Sequence, residues 1–312
     1  QSSVYQADIT PAALVSFSLD MAQGTLALTF TDVVDVSTLR VSGLAIFSGS
    51  ESYALQSSTT NSTDGLIISI ELSEEDLLGI LRFPNLARSQ NSPLITVSAT
   101  ALDDFTGLDV AVVTAEDPKV AALYVPDTQA PQLTSFDLNM TRGDLTLVFS
   151  EPVNASTIDL AALQLRASAN ATAEDTVLSL SGGSTTQSSD DTEITVRLTT
   201  DDFLQLQAKR ALASNATTTY LAADGAVRDY FGNALLAPVA VPVATYGDDV
   251  LEPVLLSFAL DLDQRVLAMT FSEVLGRPGD AAAAVTLVAA PGQQGIELEL
   301  GARASVNGTR AT

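Results

Sequence analysis

Residues 17–30 read Phe-Ser-Leu-Asp-Met-Ala-Gln-Gly-Thr-Leu-Ala-Leu-Thr-Phe, and the large apolar side chains fall in steps of two: Phe17 and Leu19, then Leu26, Leu28 and Phe30. A period of two puts those residues on one face of β-strands, because successive side chains point to opposite sides of a sheet. The intervening Met-Ala-Gln-Gly is a turn, so the stretch reads as a hairpin of two antiparallel strands with a single buried face. The same pattern returns as Phe136, Leu138, Leu145, Leu147, Phe149 and as Phe258, Leu260, Leu267, Met269, Phe271. The copies start 119 and then 122 residues apart, at positions 17, 136 and 258. That period is too long for a helical solenoid and suits one sandwich domain per copy.

The spacing divides the 312 residues into an N-terminal extension (1–10), two full domains (11–126 and 127–249) and an incomplete third (250–312). Linkers are expected over Asp117–Ala130 and Tyr246–Glu252, each acidic and each ending just before a proline, Pro131 or Pro253. Each full repeat also carries one helical insert. Ser73-Glu-Glu-Asp76 leads into Leu77–Leu81, and Thr200-Asp-Asp-Phe203 leads into Leu204–Leu212. A Ser or Thr cap followed by carboxylates satisfies free N–H groups and suits the helix dipole. Further strands are expected over 66–72, 94–100, 192–198 and 217–222. Asp104-Phe-Thr-Gly107 and Asp229-Tyr-Phe-Gly232 read as tight turns, with glycine at positive φ and the aspartate bonded to the turn backbone. The fold class is therefore all-β, tandem sandwiches with a short helical insert in each full repeat.

The second repeat is the most explicit: LTSFDLNM (133–140), LTLVFSEPVNASTIDLAALQL (145–165), TEITVRL (192–198) and TTYLAADGAVRDYFGNAL (218–235). This order resembles the Ig-like domains of surface-layer and other extracellular repeat proteins. It is similar above all to the tandem versions, with an added short helix, in surface-fibre proteins of algae and related protists, including mastigoneme-like filaments. The resemblance implies Ig-like sandwiches and a structural role at the cell surface. Repeat one departs from the pattern, with Thr31-Asp-Val-Val34 for Ser-Glu-Pro-Val and Leu108 where repeat two has Asn233.

Composition narrows the function. With 38 acidic against 14 basic residues and a net charge of -24, the chain repels nucleic acid and anionic membranes. No apolar run is long enough to insert as a membrane helix. There is no Cys and no His, and the only lysines are Lys119 and Lys209, so the usual nucleophiles and near-neutral bases are missing. Carboxylate chemistry would need paired acids at a set separation. Asp103 and Asp104 point to opposite faces of a strand, and Asp201 and Asp202 belong to a helix start. No catalytic residue is assigned, and no cofactor is expected. Few aromatics and no Trp also disfavour a sugar-stacking lectin.

Six of the nine asparagines stand in Asn-x-Ser/Thr: Asn61, Asn139, Asn154, Asn170, Asn215 and Asn307. Chance gives roughly two in a chain of this Ser/Thr content, so the enrichment points to covalent glycans on a secreted, extracellular or cell-surface protein. The start at Gln1, without Met or an apolar leader, suits a processed chain. The uneven distribution, with one sequon in repeat one, four in repeat two and none between 253 and 306, leaves repeat three and the N-terminal segment for contacts between subunits. Asp127, Asp248 and Asp249, in the acidic stretches between domains, are the candidate ligands for calcium, which takes clustered oxygen ligands. No EF-hand loop accompanies them.

The expected function is a structural subunit of an extracellular filament, a homopolymer assembled head to tail. Gln1–Thr10 would add as a strand to the third repeat of a neighbour, whose receiving face is Leu255, Phe258, Leu260, Leu267, Met269 and Phe271. The alternative is an adhesin or surface-layer binding module with the sandwiches as calcium-stiffened spacers. A longer chain continuing past Thr312 would also account for the short third repeat.

Overall fold

The computed structural model describes residues 8–264 and 266–275, and the backbone of four short strands at 286–287, 296–297, 306–307 and 310–311. Domain one contains β1 (Leu14–Asp20), β2 (Thr25–Asp35), β3 (Leu44–Ser48), β4 (Glu51–Ala54), β5 (Thr59–Thr60), β6 (Gly65–Glu71), α1 (Glu74–Leu81), β7 (Leu94–Val97), β8 (Asp103–Asp104), β9 (Lys119–Val120) and β10 (Leu123–Val125). One sheet runs β10-β1-β2-β6-β5, with β8 added beside β2, and the other β4-β3-β7-β9. Their inner faces enclose a core built on Phe17, Leu19, Leu26, Leu28, Ile46, Ile68 and Ile95. All seven are at most 1% exposed, as the alternation of the sequence requires.

Domain two repeats the plan with β11 (Leu133–Asn139), β12 (Asp144–Phe149), β13 (Val153–Asn154), β14 (Gln164–Arg166), β15 (Val177–Ser179), β16 (Gly183–Gln187), β17 (Glu193–Leu198), α2 (Thr200–Ala208), β18 (Tyr220–Ala222), β19 (Arg228–Asp229), β20 (Val241–Pro242) and β21 (Thr245–Gly247). Its sheets are β16-β17-β12-β11-β21 and β15-β14-β18-β20, with β13 and β19 paired as a separate ribbon. The third repeat supplies β22 (Leu255–Asp261), β23 (Val266–Phe271), β24 (Thr286–Leu287), β25 (Ile296–Glu297), β26 (Val306–Asn307) and β27 (Arg310–Ala311), joined as β22-β23-β27-β26 and β24-β25.

The three hairpins share one register. Phe17 faces Leu28, Phe136 faces Leu147 and Phe258 faces Met269. Each has the same irregularity one residue into its first strand, after Leu14, Leu133 and Leu255. Each turn is held by a side-chain oxygen on a backbone N–H three residues on: Asp20 on Gln23 (2.9 Å), Asn139 on Arg142 (3.0 Å) and Asp261 on Gln264 (2.8 Å). Gly24 and Gly143 close the first two turns at φ of 61° and 68°, backbone that only glycine adopts freely.

The helical inserts use one device twice. Ser73 caps α1 by accepting from the Asp76 N–H, and Thr199 caps α2 by accepting from the Asp202 N–H. The fully buried Asp76 then accepts the backbone N–H groups of Gln56, Ser57 and Ser58 and the hydroxyls of Tyr53 and Ser58. Asp202, 1% exposed, accepts the Ser181 N–H at 2.8 Å. Each helix is thereby pinned to the loop beneath it, a role beyond the helix-start chemistry expected for Asp201–Asp202.

Three expectations need correction. The cap of α2 is Thr199 rather than Thr200, and the helix ends at Ala208 because Lys209 leaves helical backbone (φ −84°, ψ 79°), well short of Leu212. The expected linkers are in part sheet: β9 and β10 take five of the fourteen residues of Asp117–Ala130, and β21 takes up Tyr246 and Gly247. The segments 94–100 and 217–222 are strand only over β7 and β18, each adjoined by a 3-10 turn.

Candidate functional site: the joint between domains

The tight turn at Asp229-Tyr-Phe-Gly232 is the centre of the joint between domains one and two. Gly232 has φ of 92°, and one Asp229 oxygen accepts the N–H groups of Phe231 and Asn233, both at 2.8 Å. That turn presents Tyr230 and Phe231 to the first domain, where both pack half-buried against its core. Arg88 lies over the Phe231 ring, 5.1 Å from its centre, a cation–π contact across the boundary. Arg82, the residue that ends α1, forks onto Asp191 at 2.9 and 3.0 Å and donates to the Ser189 carbonyl at 2.6 Å. Tyr230 donates to the same carboxylate at 2.5 Å. Asp191 is 4% exposed, so its charge is held by two charge-assisted partners rather than by water.

On the other side of that turn, Asp127, Glu151 and Asp229 bring carboxylate oxygens within 4.8 Å of one another. They line a cleft of about 280 Å³ together with Met21, Leu77 and Phe231. Asp127 comes from the segment between β10 and β11, Glu151 follows β12, and Asp229 is in β19. Burial pushes the Glu151 carboxyl up to about 7, helped by the negative charges of Asp127 and Asp229 and a hydrogen bond with Asp127. Like charges this close cannot all ionise at neutral pH. Either Glu151 keeps a proton, or a hard, oxygen-preferring cation balances the three acids. Asn233 donates to Asp229 at 2.7 Å and to the Asp127 carbonyl at 3.3 Å, tying the turn to the interdomain segment.

The candidate calcium ligands therefore separate. Asp127 belongs to the triad, whereas Asp248 and Asp249 do not. Asp249 sits beside Glu273, whose carboxyl is raised by burial and then by Asp249, and it accepts from Gln207 at 3.1 Å. The signal that would have found Glu151 is the repeat itself: Asp8 and Asp32, Asp127 and Glu151, and Asp249 and Glu273 are all 24 residues apart. In repeat one the counterpart of Asp229 is Asp104. It is 3% exposed and its Oδ2 has no hydrogen-bond partner among the described residues, because Leu108 stands where Asn233 donates.

Of the sequons, Asn61, Asn139, Asn170 and Asn215 are exposed and Asn154 is half-buried. Asn139, Asn154 and Asn215 hold turn N–H groups through Oδ1, the atom that N-glycosylation leaves unmodified. Ser156 and Thr217 donate their hydroxyls to the same oxygens of Asn154 and Asn215 at 2.7 Å. The side chain of Asn307 and residues 1–7 of the candidate partner strand lie outside the described residues. The expected assembly face divides. Leu255, Phe258 and Leu260 are 47%, 61% and 44% exposed, Leu267 is buried at 9%, and Met269 and Phe271 are half-buried. No described helix is long and apolar enough to cross a membrane.

No family model and no curated relative matches the sequence. Among solved structures, the chain is similar to domains 1–6 of the surface layer protein SbsC, at 12% identity and TM-score 0.27 over 85% of this chain and 32% of that one. It is similar to the E. coli alpha-2-macroglobulin at 10% identity and TM-score 0.30, over 87% of this chain and 17% of that one. A tandem from titin matches at 10% identity and TM-score 0.19, covering 97% of this chain and 86% of the other. The chain thus spans about a third of the length of the surface-layer chain it matches. TM-scores this low carry no functional inference, and the all-β tandem architecture stands on the chain's own sheets.

Proposed function

We propose that the chain is a structural subunit of a secreted, N-glycosylated extracellular filament, joined head to tail, of the kind its repeats resemble. The observation that carries this reading is the third hairpin. Its register matches the first two, yet Leu255, Phe258 and Leu260 are 44–61% exposed where Leu14, Phe17, Leu19, Leu133, Phe136 and Leu138 are at most 8% exposed. An exposed apolar strand face favours addition of another chain. A contact between different surfaces of identical subunits propagates rather than closes. The accessible sequons support an extracellular setting, since bulky glycans need solvent-facing sites. Electron microscopy of the purified protein is the test: polymers are expected, and monodisperse rods at all concentrations would refute the filament. Glycan-resolved mass spectrometry that finds all six asparagines bare would remove the secreted-glycoprotein part.

The second reading, an adhesin or surface-layer module with calcium-stiffened spacers, is favoured by the acid triad at the joint. Small-angle scattering with calcium and with chelator separates the two. Polymers that persist in chelator support the filament, whereas a maximum dimension that lengthens only with calcium supports the spacer.

A further inference from the structure

A sheet edge is a row of free N–H and C=O groups, and native sheets protect it with short strands, proline or charge. Seven of the eight outer strands in the main sheets of domains one and two follow that rule. β5, β9 and β20 are two residues long, β10, β15 and β21 are three, and β4 has four and opens on Glu51. Pro118 precedes β9, Pro242 ends β20, and the closing strands β10 and β21 run into Pro126 and into Asp248-Asp249. β16 is the exception. It is five residues long, Gly-Ser-Thr-Thr-Gln, without proline or charge, and Gly183, Ser184, Thr185 and Thr186 are all exposed. No charged residue stands between Asp175 and Asp190, in a chain whose net charge is -24. The strand in its place in domain one, β5, is cut to Thr59–Thr60 and followed at once by the sequon Asn61.

The register says which backbone groups of β16 are free. It pairs antiparallel with β17, Ser184 opposite Arg197 and Thr186 opposite Thr195, and the Ser188 N–H donates to the Glu193 carbonyl at 3.0 Å in the same register. Hydrogen-bonded pairs alternate along an antiparallel ladder. Ser184 and Thr186 therefore turn their N–H and C=O groups to β17, and Gly183, Thr185 and Gln187 turn theirs outward. Outside that ladder, the N–H groups of these three donate to no described residue.

We propose that the outward edge of β16 pairs with β16 of a second copy, antiparallel and about a two-fold axis at Thr185. The two Thr185 then stand opposite each other and Gly183 of each copy stands opposite Gln187 of the other, so every outward-facing residue meets an outward-facing residue. A strand that adds here has to offer a free edge of its own, and in domains one and two only β16 does. The neutral stretch lets two acidic chains approach, and opposed threonines are a favourable cross-strand pair. Identical patches on both subunits make a closed contact rather than a propagating one, so this contact is distinct from the head-to-tail one and does not depend on it. The seam is about 17 Å long and buries far less than the roughly 1,200 Å² of a standard interface, so it holds copies side by side only weakly.

The chain has no cysteine, so a single introduced thiol reads the register directly. Opposed residues of a hydrogen-bonded antiparallel pair have Cα atoms about 5.5 Å apart, within disulfide reach. Full-length Thr185→Cys, oxidised at high concentration, is expected to give a covalent dimer in roughly tenfold higher yield than Ser181→Cys. Ser181 is also exposed, but its two copies lie more than about 20 Å apart in this register. Thr185→Pro removes only an outward N–H, which an edge strand tolerates, and Thr185→Lys sets two like charges opposite each other. Both are expected to abolish chemical cross-linking of β16 to β16 while leaving the thermal transition of domain two in place. No covalent dimer from Thr185→Cys, equal yield from Ser181→Cys, or β16 cross-links that persist in either edge variant overturns the proposal. The covalent dimer is read on denaturing gels, so it is scored whether or not the chain also forms head-to-tail polymers, and failure of one contact leaves the other standing.

Discussion

Phenylalanine 136 and phenylalanine 258 hold the same place in the same hairpin, and the structure gives them opposite consequences. Phe136 is fully buried and Phe258 is 61% exposed. Phe136→Ala deletes a phenyl ring from a closed core and leaves a cavity, a change of about 3–5 kcal/mol. Phe258→Ala opens no cavity. Full burial of such a side chain is worth about 1.5–3 kcal/mol, and with two-fifths of it covered the loss is about 1 kcal/mol. The assay is urea unfolding of the full chain at a concentration where it is monomeric. With a slope of about 2 kcal/mol per molar for a domain of this size, Phe136→Ala lowers the midpoint of domain two by about 2 M. Phe258→Ala shifts the third-repeat signal by no more than about 0.5 M. On the proposed filament reading the order changes above the assembly concentration, where Phe258→Ala should weaken polymers and Phe136→Ala should leave the contact face intact. A Phe258→Ala monomer destabilised as much as the Phe136→Ala monomer would show that the third repeat closes its own core, and the assembly argument would fall.

Other perturbations probe the joint and the inserts. Glu151, held near 7 in the fold against 4.5 for a free carboxyl, binds its proton more tightly when folded. Its contribution is fully present below about pH 4.5 and is lost as pH rises through 7. The shift corresponds to about 3 kcal/mol at most, which solvent screening at this partly exposed side chain cuts to about 1–2 kcal/mol. Glu151→Gln should therefore raise the urea midpoint at pH 8 but not at pH 4, and identical pH profiles for variant and wild type would refute the shared-proton account. Leu108→Asn places in repeat one the amide that donates to Asp229 in repeat two. A donor for the orphaned Asp104 oxygen is worth about 1.5–3 kcal/mol, less the partial burial of Leu108, so domain one should gain about 1 kcal/mol in calorimetry. Asp76→Ala should cost about 3 kcal/mol or more, because three loop N–H groups lose their acceptor. Burial raises the Asp76 carboxyl, but Ser58, Ser57 and Gln56 outweigh it and hold it below 3.8. That stabilisation is present above pH 3.8 and disappears in acid, which an acid titration of wild type against variant would check.

The hairpins were legible because their information is local. Alternation from Phe17 to Phe30 sets face and register together, and slipping one residue would expose every apolar side chain. The capping spacing was equally local, although two adjacent threonines blurred its position: Thr199 and Thr200 both precede the acids, and only the match to Ser73–Asp76 selects Thr199. The closing strands were not legible in the same way. Leu123–Val125 and Thr245–Gly247 are three residues long, sit beside prolines or acids and pair in parallel with strands more than 100 residues earlier. Nothing in their own composition separates them from linker, and all but Thr245 fall within the linkers expected from the sequence. The acid triad failed to appear for a related reason. Glu151 and Asp229 are 78 residues apart, and each has a sufficient local explanation, a motif acid and a turn aspartate, until the fold closes.

Repetition recovers part of what locality hides, and the three acid pairs show how. Asp127 and Glu151 meet because β11 and β12 bring the segments before and after the hairpin back together, and the constant separation of 24 residues is the length of that excursion. The same excursion exists wherever the hairpin exists, so Asp249 and Glu273 meet as well. The third acid depends on a later turn, present as Asp104 in repeat one and Asp229 in repeat two. Of these two, only repeat two combines it with Asn233 and with aromatic residues that reach the preceding domain's core. Phe105, the first-repeat counterpart of Tyr230, is 68% exposed, whereas Tyr230 and Phe231 pack against the core of domain one, so the same turn buries its aromatic residues only where a neighbouring domain meets it.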